Sequence, residues 1–230
     1  MLRHPLTRVL LALTFSTGLV DAASYLRLGH VFAANMTGNV VLLGFGIAGA
    51  GGLPVVAPVV SLAAFLFGAR LGVRLGARTA GGEAGALPAA LGFEAGMLLA
   101  ATVVAAVVSV RAGSFSGDAV IALLAMSMGA RNAAVRSLGV PDLTTTVLTM
   151  TLTGIAADSH IAGGRGGDPA RRLAAVAAML AGALLSALLV LHVDVVAPLA
   201  IVTGLLAAVA LAAHLLSRGQ ADWATPPTRD

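Results

Sequence analysis

The chain has 230 residues, 58% of them hydrophobic and only 10% charged, with a mean hydropathy of +0.97. A soluble domain carries about a quarter charged residues, so this composition excludes an ordinary water-soluble protein and points to a lipid bilayer. All 14 basic residues are Arg, scattered between apolar segments; the pI near 11.2 therefore fits the loops of a membrane protein and not a nucleic-acid patch. The chain has no cysteine, and its 5 His residues lie far apart. Disulfides, thiol nucleophiles and Cys-metal sites are thereby excluded, and no metal or cofactor is expected.

In chain order the sequence divides into eight apolar segments separated by Gly, Pro and polar loops. Segment 7–27 carries Asp21 after twelve uncharged residues. Its start, MLRHPLTRVLLALTFSTGLVDAAS, also fits a signal peptide, but the same pattern recurs mid-chain, which argues for a span. Segment 31–50 is apolar at both ends yet holds Asn35, Thr37, Gly38 and Asn39 together in its middle. Segment 53–76 spaces Gly68, Gly72 and Gly76 for close helix packing, and Arg70 and Arg74 are expected to snorkel to the cytoplasmic headgroups.

After the loop at 78–88, segment 89–110 sets Glu94 between Gly92 and Gly96, a second predicted packing stripe. Segment 118–138 carries Arg131 and Asn132, and segment 142–158 has six threonines between Thr144 and Thr153. The loop at 158–172 leads to segments 171–191 and 195–217, each with an uncharged window long enough to span. The polar tail 218–230 is expected to be disordered, which leaves 1–217 as a single transmembrane domain.

The two halves look alike. LTFSTGLVDAAS (13–24) falls over LAMSMGARNAAV (124–135) at an offset of 111: Ser16 meets Ser127, Gly18 meets Gly129 and Asp21 meets Asn132. Thr37 falls over Thr149 at an offset of 112, and later matches drift only between 108 and 114. Repeat one is read as 7–110 and repeat two as 118–217.

Charge distinguishes two topologies. Eight spans would put eight Arg on one side and six on the other. If 31–50 and 142–158 instead enter and return on one side, six spans remain and the split becomes twelve against two, with Arg27 and Arg111 alone outside. The second fits the positive-inside rule. Three spans per half also invert the second half, as in secondary transporters whose broken helices meet near the midplane.

The candidate substrate-binding residues are Asp21, Asn35, Thr37, Gly38 and Asn39 in the first half, with Asn132 and the threonine run that includes Thr149 in the second. Amides and hydroxyls can satisfy backbone freed at a helix break, and an intramembrane acid is a candidate proton relay or cation ligand. The structural alternatives are helix–helix glue for the polar residues and an ion pair of Asp21 with Arg131. No nucleophile motif, P-loop or paired-His motif occurs, so no catalytic role is expected.

GLVDAASYLRLGHVFAANMTGNVVLLG (18–44) closely resembles the signature of the YoaK-like family, small bacterial inner-membrane proteins grouped as domain of unknown function 1275. MGARNAAVRSLGVPDLTTTVLTMTLT (128–153) resembles that family's second signature. The resemblance implies about six spans and marks the same candidate residues, Thr145, Thr146 and Thr149 among them. This chain departs from it with Arg131-Asn132 for Gln-Asn and Thr149-Met150 for Thr-Gly.

The expectation is thus an all-α polytopic inner-membrane protein with termini inside and an internal, inverted repeat. Its leading function is a small-molecule or ion permease with lipids as its surroundings. The rival is a non-transporting scaffold or partner subunit. Homo-oligomerisation is left open, and nucleic acid is not a partner.

Overall fold

The computed structural model describes residues 4–79, 83–137, 148–157 and 169–219. These form eight helices: α1 (Pro5–Arg27), α2 (Met36–Ile47), α3 (Val56–Arg78), α4 (Glu83–Val107), α5 (Phe115–Ser137), α6 (Leu148–Ala157), α7 (Pro169–His192) and α8 (Val196–Gly219). No strand occurs among the described residues. The protein is a polytopic, all-α membrane protein: six helices are long and apolar enough to cross a bilayer. The two others, of 12 and 10 residues, reach about 18 and 15 Å at 1.5 Å per residue, well short of a core of about 30 Å. The expected polar tail and most of the loop at 158–172 lie outside the described residues.

Close packing is set by glycine where the backbones touch. Between α3 and α5, Gly68 lies on the Met126 carbonyl, Gly72 on Ala130, and Gly129 on the Phe65 carbonyl and Ala69 N–H. Between α1 and α7, Gly18 lies on the Met179 carbonyl and Ala183 N–H, and Gly182 on the Phe15 carbonyl. A lipid tail is as apolar as leucine, so contact between small residues replaces the hydrophobic effect as the packing force. Gly92 and Gly96 depart from expectation. A Cβ at either would meet nothing within 4 Å, because α4 presents Leu91, Glu94 and Leu98 inward and turns these glycines outward.

Both glycine-mediated pairs run parallel. Gly68 and Gly72 match Met126 and Ala130 in order; Gly182 matches Phe15, and Ser186 donates to the Leu19 carbonyl at 2.7 Å. The α1/α7 and α3/α5 pairs run in opposite senses, since Gly29, just after α1, sits beside Ala57 at the start of α3 and Ala112 just before α5. Exchanging halves (α1 with α5, α2 with α6, α3 with α7, α4 with α8) preserves the contacts. It turns α1–α7 into α3–α5, α1–α8 into α4–α5, α2–α3 into α6–α7 and α3–α4 into α7–α8, while α4–α8 and α1–α5 map onto themselves. Arg8, Arg70, Arg74, Arg78, Arg136, Arg171 and Arg172 lie toward the end where α1 starts and α3 finishes; Arg27 and Arg111 lie at the other.

The α2 segment leaves and returns at one end of the bundle. Residues 28–35 run back along α1 to the level of Asp21, where Ala33 and Ala34 meet its carboxylate. Helix α2 then rises beside α3, from Asn39 against Ser61 to Gly46 against Pro54. With no native cysteine to interfere, single-cysteine labelling tests this path. With an impermeant maleimide, Arg27→Cys and Gly51→Cys are expected to react from one side of the membrane and Thr79→Cys from the other. Reaction of Arg27→Cys and Gly51→Cys from opposite sides would mean that 31–50 spans.

Candidate functional site

The limb at 28–35 is irregular backbone, and such backbone is tolerated at membrane depth only where protein supplies its hydrogen bonds. Asp21 Oδ1 accepts the N–H groups of Ala33 at 3.0 Å and Ala34 at 2.8 Å. Asn39 is fully buried. Its Oδ1 accepts the Phe32 N–H at 2.8 Å, and its Nδ2 donates to the Phe32 carbonyl at 2.7 Å and to Ser61 Oγ at 3.0 Å. Ser61 donates to the same carbonyl at 2.7 Å.

Asn35 caps α2 by accepting the Gly38 N–H at 3.2 Å. Gly38 leaves room for the Phe32 ring, which a Cβ there, 2.8 Å away, would force to shift. That ring stacks on Tyr25 with centroids 5.0 Å apart. The polar cluster in 31–46 therefore holds a broken, re-entrant segment in shape. Asp21 and Asn39 are sealed into it, whereas Asn35 and Thr37 stay exposed at its turn.

The second-half candidates lie elsewhere. Asn132, half-buried, donates to the Met128 carbonyl at 2.8 Å and lines a groove between α3 and α5. Thr149 is exposed near the start of α6, and the buried threonine is Thr151. At the offset of 112 that relates Thr37 to Thr149, Thr151 is the counterpart of Asn39. Thr145 and Thr146 lie outside the described residues.

The deepest charges form a pair that sequence reasoning missed. Arg131 and Glu94 are both fully buried, with Nη1 3.1 Å from Oε1. Arg131 Nη1 also donates to Ser16 Oγ and Nη2 to Thr17 Oγ1, each at 2.7 Å. Both hydroxyls can accept because their own protons go to the Leu13 carbonyl. The pair thus joins α1, α4 and α5. Ser16 is eleven residues into α1, about 16 Å from its start and close to mid-depth. The contact is an ion pair without a directed hydrogen bond: neither Glu94 oxygen, nor Arg131 Nε, has a hydrogen-bond partner.

The expected Asp21–Arg131 pair is corrected accordingly. Arg131 meets α1 at Thr17, one turn short of Asp21, and the Asp21 carboxylate is engaged by the limb. The one signal in sequence was that Glu94 and Arg131 each interrupt an otherwise uncharged stretch. Their repeat counterparts, Val202 at an offset of 108 and Val20 at 111, are buried and apolar, so the pair breaks the likeness of the halves.

The arrangement on which the comparisons bear is a bundle of six long apolar helices and two short ones, the first short helix being held by residues of the 18–44 block. The profile of the family described as "Protein of unknown function (DUF1275)" matches residues 9–212. The chain belongs to this family. It is also similar to the UPF0700 transmembrane protein YoaK of Bacillus subtilis (strain 168), 32% identical over 147 residues, which is 64% of each chain. The match thus covers less than two thirds of that relative. No solved structure matches.

Family membership supplies architecture and no chemistry, so the chemistry rests on the side chains. Among the described residues no group of three or more His, Asp or Glu could hold a metal ion. What the arrangement offers is a buried carboxylate with open hydrogen-bonding capacity facing a guanidinium at the centre of three helices.

Proposed function

We propose that the chain is a small secondary transporter of the bacterial inner membrane that moves a small molecule or ion past the Glu94–Arg131 pair. That pair carries the reading. Charges at mid-membrane are costly and cluster on transport pathways, and a purely architectural pair gains from closing its remaining hydrogen bonds; Glu94 leaves both oxygens without one. The opposed α1/α7 and α3/α5 pairs and the contacts preserved on exchanging halves support an inverted repeat, which can rock about a central site. The arginine-rich end supports cytoplasmic termini. In this reading Glu94 takes the coupling proton or cation and Arg131 is its counter-charge. Asp21, Gly38 and Asn39 shape the re-entrant wall, with Asn35 and Thr37 at its exposed turn, and Asn132 and Thr149 lie apart from it on α5 and α6. No substrate bond is broken and no cofactor is needed.

The second reading is a non-transporting scaffold, favoured by the engagement of Asp21, Asn39 and Ser61 with backbone. A thermal-shift screen of purified protein against metabolites and ions separates the two, because a ligand that binds only the folded state raises Tm. At least one ligand is expected to stabilise the wild type, to leave the Glu94→Leu/Arg131→Met variant unshifted, and to be carried across proteoliposome membranes by the wild type alone. Stabilising ligands that are never transported, or that stabilise the double variant equally, would favour the scaffold.

A further inference from the structure

We infer that the groove between α3 and α5 is a binding site for one acidic phospholipid, independently of whether the protein transports anything. The groove has a volume of about 1290 Å³ and lies between the two helices where alanines leave space beside the glycine contacts. Three guanidinium groups line it: Arg70 and Arg74, one turn apart on α3, and Arg136 on α5. No carboxylate lines it, and none of the three arginines has an ion-pair partner among the described residues.

Apart from Asn132, the rest of the wall is apolar, and much of it faces outward: Leu66 is 65% exposed, Phe67 55% and Val73 65%. These residues occupy the α3 turns around and deeper than Arg70 and Arg74. The charges gather toward the arginine-rich end. Such a surface carries its cations at headgroup level and its apolar wall at acyl level. A free anion would use only the first. A phosphodiester headgroup with its acyl chains uses both, and basic pockets between spans recognise acidic headgroups by this means. The elongated guanidinium forks suit phosphate oxygens better than a point charge would.

The test uses full-length protein purified in a neutral detergent, titrated with phosphatidylglycerol, phosphatidylcholine or inorganic phosphate. Thermal stability and native mass spectrometry serve as readouts. Phosphatidylglycerol is expected to raise Tm and to remain bound at one per chain, while phosphatidylcholine and inorganic phosphate do neither. Removing each groove arginine (Arg70→Gln, Arg74→Gln, Arg136→Gln) is expected to raise the half-saturating lipid concentration about fivefold, and removing all three about a hundredfold. Arg8→Gln, outside the groove, leaves it unchanged. The single variants keep the test open if the triple variant does not fold. An equal shift with phosphatidylcholine overturns the proposal, as does one with inorganic phosphate alone, which would indicate an ion site. Full retention of the phosphatidylglycerol shift in the arginine variants overturns it too.

Discussion

Removing one member of the central pair is expected to destabilise the protein far more than removing both. Glu94→Leu leaves a guanidinium between α1, α4 and α5 with no counter-charge in contact, held by Ser16, Thr17 and the Met128 sulfur alone. Arg131→Met leaves a carboxylate there with no partner. Breaking a buried pair in this way costs about 3–5 kcal/mol, whereas replacing both members by apolar residues of similar volume is often nearly neutral. The repeat shows why the site can accept the apolar version, since its counterpart positions are Val20 and Val202, both fully buried. The double variant is therefore expected to recover all but about 2 kcal/mol of the larger single loss. Unfolding midpoints of the wild type, both singles and the double close the cycle. Losses that simply add would show that Glu94 and Arg131 do not stabilise each other. A stable double variant is also the proper reagent for the transport test, because its failure could not be blamed on misfolding.

The second large effect is steric. Gly129→Ala would press a methyl group onto the Phe65 carbonyl and within 2.9 Å of the Ala69 nitrogen; Gly18→Ala would do the same to Met179 and Ala183 across the α1–α7 contact. Both obstacles are helix backbone, which cannot rotate aside as a side chain can. Each substitution is expected to cost about 3 kcal/mol, the upper end of overpacking penalties. Gly92→Ala and Gly96→Ala make the contrast. They meet nothing within 4 Å, and alanine is the better helix former by about 1 kcal/mol, so they are expected to leave Tm unchanged or raise it. Melting of the four variants in one detergent checks both halves; no loss at Gly18 and Gly129 would mean that those helices pack less closely, and losses at Gly92 and Gly96 would mean that these glycines are packed as well.

Much of the architecture was legible in the sequence because its cause is one-dimensional. Uncharged runs measure directly against bilayer thickness, and they marked eight apolar segments. The asymmetry of fourteen arginines pointed to six spans before any helix was placed. The recurrence of Ser16, Gly18 and Asp21 as Ser127, Gly129 and Asn132 marked two similar halves. The small, polar cluster at 35–39 stood out, since amides and glycine in an apolar helix need a reason, but a break and helix–helix glue explained it equally well.

What the tertiary structure decided is which faces meet. Spacing alone made Gly92 and Gly96 look like Gly68 and Gly72, yet only the second pair lies against a neighbouring backbone. Asp21 and Arg131 were the natural partners along the chain, but partnership depends on depth and rotation. Arg131 reaches α1 one turn below Asp21, and α4, whose position no local pattern specifies, brings Glu94 to it. Likewise Asn39 and Ser61, 22 residues apart, become one hydrogen-bonded unit only because the limb folds back between α1 and α3. Hydropathy and charge act residue by residue and can be read in order. Hydrogen bonds, ion-pair contacts and close packing need atoms within about 4 Å, so they exist only once helices from distant parts of the chain have been set side by side.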